Sequence, residues 1–184
     1  MNERVKLKVA DENSINRTIT RLTHEILEKN KGIYNLVIVG IRTRGEYIAK
    51  RVAEKIEKIE NVKMQIGVLD VVLYRDDLRL RTKIPKVQIS DIPFEIDDKT
   101  VVLVDDVIYT GRTTRAALDA LVDYGRPAKI QLAVLVDRGG REMPICPDYI
   151  GMKLPVSVGE EVRVKVKEVD GEDGVFIVEV VDES

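Results

Sequence analysis

Two adjacent carboxylates followed by a threonine-rich loop stand out in the segment VVLVDDVIYTGRTTRAALDAL, residues 101–121. An apolar run leads to Asp105 and Asp106, and a short loop then opens a helical pattern. Carboxylates placed in this way can accept hydrogen bonds from vicinal ribose hydroxyls, either directly or through Mg²⁺ and its waters. The segment therefore predicts a site for a sugar phosphate at the end of a buried strand.

The loop after the two acids has the composition of a phosphate-binding turn. A helix N-terminus offers unpaired N–H groups and a partial positive charge to an anion. Gly111 lets the backbone approach the anion closely, and threonine hydroxyls add further donors. The predicted contacts to the sugar phosphate come from Val104, Val107, Ile108, Tyr109, Thr110, Gly111, Arg112, Thr113 and Thr114.

A P-loop, a dinucleotide-binding turn and a receiver domain all fit this segment less well than a sugar-phosphate site does. The chain has neither GxxxxGK[ST] nor GxGxxG, which excludes the first two. A receiver domain places paired acids near Mg²⁺, but it does not need a threonine-rich phosphate loop directly after them. Acids and threonines that only cap a helix remain an alternative. It is disfavoured because two acids at the end of a buried strand are costly to desolvate without a ligand.

The elements that must position this site follow from the hydrophobic pattern. Alternating apolar strands and amphipathic helices predict an α/β fold with a mostly parallel sheet, whose ligands bind at the carboxyl ends of the strands. Strands are predicted at 5–9, 36–40, 62–74, 101–104 and 130–136. Helices are predicted from a cap at Ser14 to a stop at Gly32, over about 45–59, and over 113–124.

Two further segments have their own patterns. Residues 75–90 are polar and turn-rich, which favours a mobile loop. Residues 161–181 alternate apolar and charged side chains around the Asp–Gly pairs at 170–171 and 173–174, which predicts a hairpin at the sheet edge or a flap. The length of 184 residues favours a single domain, 1–184.

Composition limits the classes of function. One cysteine, Cys146, rules out an internal disulfide framework and favours a cytoplasmic protein. No apolar run approaches the roughly 20 residues of a membrane span, so no membrane partner is expected. The net charge of −2 argues against a general nucleic-acid binder. Residues 1–58, however, carry 13 Lys/Arg against 8 Asp/Glu, so a basic patch on this part of the chain is possible.

The segment VVLVDDVIYTGRTT, 101–114, resembles the phosphoribosyl-pyrophosphate (PRPP) signature of type I phosphoribosyltransferases. Segments along nearly the whole chain are similar to the PyrR family, pyrimidine operon attenuators with uracil phosphoribosyltransferase activity. They are VGIRTRGEYIAKRVAE (39–54), LYRDDL (73–78), DIPFEI (91–96), ALVDYGRP (120–127) and QLAVLVDRGGREMPICPDYIG (131–151). The resemblance implies a mostly parallel sheet flanked by helices, a small hood to which about 131–160 contribute, and a C-terminal β-hairpin.

The resemblance also implies a reaction, in which PRPP and uracil give UMP and pyrophosphate with Mg²⁺ as cofactor. Asp105 and Asp106 would face the ribose hydroxyls and the metal. The loop with Arg42, Thr43 and Arg44 would hold the pyrophosphate, and Arg75 would reach it from a closing loop. The pyrimidine would be read near the end of the third buried strand, by Val136, Asp137 and Arg138.

A regulatory partner is implied as well, the leader mRNA of pyrimidine operons, with UMP or UTP as effector and a homodimer or larger oligomer as the binding unit. Family members use a helix with a matching Thr and His in RNA binding. The corresponding face here holds Arg17, Thr20, Arg21 and His24, with Arg141 and Lys153 as extensions. Relatives often carry Arg where this chain has Cys146 and Lys where it has Met152, which lowers the expected RNA affinity.

Two alternatives stay open at this level. The chain could be mainly an RNA-binding regulator with weak catalysis. It could also be a phosphoribosyltransferase for another base, since the PRPP signature does not distinguish purine from pyrimidine acceptors. The similarity of 131–151 to the PyrR family favours uracil.

Overall fold

The computed structural model of the chain describes residues 2–75 and 90–181, so the loop predicted at 75–90 lies outside the described residues apart from its two ends. Strands and helices alternate through most of the chain. In order they are β1 (Asn2–Ala10), α1 (Glu12–Asn30), β2 (Leu36–Ile41), α2 (Arg44–Glu60), β3 (Ile66–Leu69), a 3-10 turn (Val72–Tyr74), β4 (Thr100–Ile108), α3 (Arg112–Val122), β5 (Lys129–Asp137), β6 (Tyr149–Lys153), β7 (Glu160–Lys165), α4 (Lys167–Asp170) and β8 (Gly174–Val181).

A five-stranded parallel sheet of order β3-β2-β4-β5-β6 forms the centre of the fold. Side chains of a strand alternate between the two faces of a sheet. Val102 and Val104 of β4 accordingly join the core under α1 and α2, whereas Val101 and Leu103 join the core under α3. The predicted α/β fold with a parallel sheet is confirmed.

The C-terminal hairpin belongs to a second sheet. Strands β7 and β8 pair with each other and, through β8, with β1 in a separate three-stranded antiparallel sheet. The prediction of a hairpin was right. Of its two predicted placements, a sheet edge or a flap, the edge of the central sheet was wrong, because that sheet ends in β3 and β6. Val162, Val164 and Val175 bury their side chains against the core under α1 and α2, which holds the small sheet there.

Local hydrogen bonds explain two errors in the predicted boundaries. The strand predicted at 62–74 is only Ile66–Leu69, because the Asp70 carboxylate accepts the N–H of Val72 and turns the chain. Helix α1 is capped by Asp11, whose carboxylate accepts the N–H of Ser14, so Ser14 is not the cap. Strand β6 was not predicted.

Helix α2 and the turn between β7 and β8 are joined by ion pairs. The Arg51 guanidinium donates to both carboxylate oxygens of Asp173, at 2.7 and 2.8 Å, and to those of Glu168, at 3.0 and 2.6 Å. Burial acts to raise the pKa of Asp173, but hydrogen bonds from Arg51 and the Lys167 backbone outweigh it and hold the pKa below its usual value. The network therefore stabilises the fold at neutral pH, and this stabilisation is lost as the pH falls through the lowered pKa.

We expect Arg51→Ala to destabilise the protein by about 3 kcal/mol at pH 7, because it leaves the buried Asp173 carboxylate without its cation. Lys50→Ala is the matched control. Lys50 is an exposed neighbour that pairs with Glu46 one turn away, and its loss should cost about 0.5 kcal/mol or less. Urea unfolding at pH 7 and at pH 2, well below the usual Asp value of 3.8, measures both variants. Equal effects at pH 7, or an Arg51 effect that does not shrink at pH 2, would contradict the assignment.

Candidate active site

The N-terminus of α2 lies directly against β4 at Val104 and Asp105. A Cβ atom on Gly45 would be 2.6 Å from the carbonyl oxygen of Val104, so only glycine fits at this position. The loop before the helix, with a cis peptide bond between Arg42 and Thr43, is thereby held beside the two acids. The tertiary structure thus brings the predicted pyrophosphate loop and the predicted ribose site together.

The two acids lie inside β4, which continues past the predicted end at 104 to Ile108. Asp105 is 6% exposed, and its carboxylate accepts the N–H of Asp106 at 2.9 Å. Burial raises the pKa of Asp105 well above its usual value, and the adjacent charge of Asp106 raises it further. Asp106 is half-buried, and its carboxylate accepts the N–H of Val107.

A cavity of about 470 Å³ opens in front of Asp106, between the carboxyl end of β4 and strand β7. Its size suits a ligand of nucleotide dimensions. The lining residues are Arg44, Arg75, Asp106, Val107, Tyr109, Arg138, Glu161, Val162, Arg163 and Val164. Four arginines against two acids give this lining an excess of positive charge, which suits a phosphorylated ligand.

The loop predicted to bind phosphate leads directly into α3. Gly111 is the N-cap of α3 with φ +91°, a conformation that favours glycine, and the N–H groups of the first helical turn follow it. The loop after β5 braces this turn from outside. The Thr110 carbonyl accepts the N–H groups of Glu142 and Met143, both at 2.9 Å. Arg141 donates from its guanidinium to the Tyr109 carbonyl at 2.9 Å.

Arg138 and Tyr109 form the other side of the cavity. The Arg138 guanidinium lies 3.8 Å from the centre of the Tyr109 ring, a cation–π contact, and donates to the Glu160 carbonyl at 2.6 Å. The hydrogen bond to Glu160 links the end of β5 to the start of β7. The flat surface formed by the two side chains can stack on a planar ring.

Not every predicted contact residue presents its side chain to the cavity. The side chains of Val104, Ile108 and Val136 lie in the two hydrophobic cores, so any contact with a ligand falls to their backbone groups. Thr114 is also buried, and the Arg112 guanidinium pairs with Glu142 at 2.8 Å. Thr43 is exposed, and Arg42 is half-buried beside Glu46.

Strand β7 was missed as part of the site. Four of its consecutive residues, 161–164, line the cavity. Their alternation of charged and apolar side chains predicted a strand but matched no motif, so nothing in the sequence pointed to a ligand. Residues 131–137, the first part of the segment predicted to contribute to the hood, belong to β5 of the central sheet.

The residues predicted to bind RNA fall into two places. Arg17, Arg21 and His24 are exposed on one face of α1, and the Arg21 guanidinium donates to the carbonyls of Ile150 and Gly151 in β6. The exposed Lys153 ends that strand, so α1 and β6 form one continuous surface. We call this surface, with Thr20, the α1–β6 face. Arg141 instead braces the phosphate loop and pairs with Asp137 at 2.8 Å.

The acid pair suits a cation that arrives with its ligand. Within 2–75 and 90–181, no cluster of three or more His, Cys, Asp or Glu side chains could hold a metal on its own. Mg²⁺ is commonly bound by one or two carboxylates together with substrate phosphates. Asp105 and Asp106 provide those carboxylates beside a cavity lined with arginines, and a cation or hydroxyl donor there would offset the cost of burying them.

Within residues 2–75 and 90–181, no helix is both long and apolar enough to cross a membrane.

Solved structures share this architecture. A hypoxanthine phosphoribosyltransferase of Trypanosoma cruzi superposes with a TM-score of 0.72 at 19% identity, covering 97% of this chain and 93% of that one. A hypoxanthine-guanine phosphoribosyltransferase of Bacillus anthracis gives 0.70 at 16% identity, covering 97% and 100%. Residues 8–168 match the family described as the phosphoribosyl transferase domain. Fold and site thus define a type I phosphoribosyltransferase.

Closer relatives narrow the assignment. The bifunctional protein PyrR of Roseiflexus sp. (strain RS-1) is 56% identical over 172 residues, covering 93% of this chain and 94% of that protein. The bifunctional protein PyrR of Clostridioides difficile (strain 630) is 56% identical over 174 residues, covering 95% and 98%. The chain belongs to the PyrR family, as its sequence predicts.

The raised pKa of Asp105 has a consequence for stability. Without a ligand, the folded chain loses stability as the pH rises from the usual Asp value of 3.8 towards the raised pKa, because ionising the buried carboxyl is costly. We therefore expect Asp105→Asn to melt at a higher temperature than the parent at pH 7, without PRPP or Mg²⁺. The difference should shrink towards pH 4.

The control is Asp119→Asn, which alters an exposed acid of α3 and should change the melting temperature little at either pH. Differential scanning calorimetry measures all three proteins. If Asp105→Asn lowered the melting temperature at pH 7, the ionised carboxylate would be a stabilising group, contrary to its buried setting.

Proposed function

We propose that the chain is a uracil phosphoribosyltransferase that also regulates pyrimidine operons by binding their leader RNA in response to uridine nucleotides. The carrying observation is the site itself, an arginine-lined cavity with Asp106 and Tyr109 in its wall. Asp105 precedes Asp106 in β4, and the loop that begins α3 follows Tyr109. The names of relatives 56% identical over nearly the whole chain, each called bifunctional, support the double role.

In the proposed reaction the N1 atom of uracil forms a bond to C1 of the ribose as the bond from C1 to the pyrophosphate oxygen breaks. The pyrophosphate leaves with the electron pair of that bond, and uracil loses its N1 proton. The ribose ring gains positive charge in the transition state, so the protein needs to position reactants and stabilise the leaving group rather than form a covalent bond.

The residues in and next to the cavity each have a role in this proposal. Asp105 and Asp106 hold the ribose hydroxyls and Mg²⁺, which supplies a charge clamp on the pyrophosphate when bound. Arg44 and Arg75 neutralise the pyrophosphate. The N–H groups behind Gly111 hold the 5′-phosphate.

The base belongs at the side of the cavity formed by Arg138 and Tyr109. The contact of their side chains, 3.8 Å from guanidinium to ring centre, provides a surface on which a pyrimidine can stack. Backbone groups near Val136 and the polar side chains of Asp137 and Arg138 are candidates to read its edge. Residues 161–164 of β7 line the cavity opposite, so the hood in this proposal includes β7.

We expect uracil to be used at least about 100-fold faster than hypoxanthine, guanine or adenine, since each unpaired polar group in a closed site costs roughly 1–3 kcal/mol.

The double variant Asp105→Asn, Asp106→Asn should lose about 100-fold or more in rate while it stays folded. Pyrophosphate release with each base measures both effects, with Asp119→Asn as the control. A purine used faster than uracil would overturn the choice of base, and near-normal activity of the folded double variant would overturn the site.

RNA binding is supported by the α1–β6 face. Arg17, Arg21 and His24 are exposed on one face of α1, and the exposed Lys153 ends the neighbouring strand β6, so these side chains can contact phosphates. Arg21 also ties α1 to β6, so this surface is held as a unit. Cys146 and Met152 stand where relatives often carry basic residues, so we propose a lower affinity than in those relatives.

We expect filter binding to show a preference for a pyrimidine-operon leader transcript over a scrambled one, strengthened by UMP and weakened by salt. The double variant Arg17→Ala, His24→Ala should weaken binding about tenfold, because it removes exposed contacts without breaking the Arg21 link. Cys146→Arg with Met152→Lys should tighten it without changing uracil turnover.

Lys58→Ala is the matched control, since Lys58 is exposed on a different helix, α2. Equal binding of both transcripts, insensitive to UMP and to the α1 substitutions, would contradict the RNA-binding function and leave only the enzyme function supported. A loss with Lys58→Ala as large as with the α1 variant would indicate nonspecific attraction.

A further inference from the structure

Helix α2 is attached to the β7–β8 turn by two similar ion pairs with different surroundings. Arg44 and Arg51 are seven residues apart, so they project from the same side of the helix, two turns from each other. Arg44 pairs with Asp170 and Arg51 with Asp173. Arg44 lines the candidate active site, whereas Arg51 is absent from its lining.

The contact of Arg44 with Asp170 uses one edge of the guanidinium. Nε donates to one carboxylate oxygen of Asp170 at 2.9 Å, and Nη2 donates to the other at 2.7 Å. A guanidinium has five N–H bonds, so three others are not engaged by Asp170. The carboxylate thus fixes the plane of the guanidinium while leaving its opposite edge to serve a second anion.

The Asp170 carboxylate is itself fixed in place, so it can orient the Arg44 guanidinium. Its carboxylate also accepts the N–H of Val166 at 2.9 Å, and its side chain is 15% exposed. The hydrogen bonds from Arg44 lower the pKa of Asp170, so the pair stays ionised at neutral pH. The geometry of Arg44 is therefore set by the turn of the small sheet rather than by α2 alone.

Two effects of this carboxylate on an anionic ligand oppose each other. Its negative charge lowers the local positive potential, so on charge alone its removal would strengthen binding of PRPP. Its hydrogen bonds hold a long, flexible side chain in one orientation, so their removal would add an ordering cost to binding. In a directional contact between guanidinium and phosphate, orientation is the larger of the two effects, because screening by water weakens the charge effect at a partly exposed site.

We propose that Asp170 is a positioning residue for PRPP, which holds the Arg44 guanidinium ready for the pyrophosphate and thereby couples the small sheet to substrate binding. The inference rests on the proposed function above, because it takes PRPP as the ligand of the cavity. Asp170 does not touch the substrate. It acts through Arg44, and Asp173 makes the equivalent contact for fold stability alone.

The test compares Asp170→Asn with Asp173→Asn. We expect Asp170→Asn to raise KM for PRPP about tenfold with kcat within about twofold, because Arg44 contacts a charge that PRPP already carries before reaction. KM for uracil should stay unchanged. Asp173→Asn should lower the melting temperature and leave KM for PRPP as in the parent. Calorimetric titration with PRPP and Mg²⁺, without any base, should show PRPP binding weakened about tenfold in Asp170→Asn and unchanged in Asp173→Asn.

A double-mutant cycle shows whether Asp170 acts through Arg44. Arg44→Gln should weaken PRPP binding. Adding Asp170→Asn to it should cause no further loss of binding, because the Arg44 guanidinium that Asp170 orients is no longer present. Unchanged or tighter PRPP binding by folded Asp170→Asn would overturn the proposal. Additive losses in the double variant would also overturn it. A parent protein that binds PRPP but does not use uracil would contradict the proposed acceptor and leave this inference standing.

Discussion

The close approach of helix α2 to strand β4 is the constraint on which the rest of the site depends. A Cβ atom on Gly45 would be 2.6 Å from the Val104 carbonyl, and one on Gly40 would be 2.6 Å from the Cα of Glu46. Helix and sheet can pack at this distance only because both positions lack a side chain. The approach holds the loop before α2 beside the acids of β4. It also directs Arg44 and Arg51 towards the small sheet, which closes the cavity from the other side.

Charge distribution gives the same site its character. Buried Asp105 is costly to ionise, and the cavity beside it concentrates arginines from α2, β7, the segment after the 3-10 turn and the end of β5. The buried acid and the clustered arginines both destabilise the ligand-free protein. A ligand with vicinal hydroxyls and a magnesium-bound pyrophosphate would satisfy both at once, because it supplies donors or a cation to the acids and an anion to the arginines.

The boundaries that sequence reasoning misplaced share a cause. At Asp70 and Asp11, a side chain competes for a backbone N–H group, and such competition does not appear in hydrophobic periodicity. The hairpin was identified correctly from its alternating pattern, but its partner, β1, lies at the other end of the chain. Long-range pairing of this kind depends on which apolar faces the remaining core leaves open.

The sequence by itself determined the class of fold and the family, and it singled out the acid pair and the loop proposed to bind phosphate. These depend on short contiguous segments with residue types that few other structures require. The TGRTT loop after VVLVDD is such a segment, and so is the IRTRG loop. The tertiary structure alone decided that β7 lines the cavity, that Arg138 stacks on Tyr109, and that Asp170 holds Arg44. The physical reason is distance along the chain. Asp170 and Arg44 are 126 residues apart in sequence, and only the packing of two sheets around α2 brings their side chains within hydrogen-bonding distance.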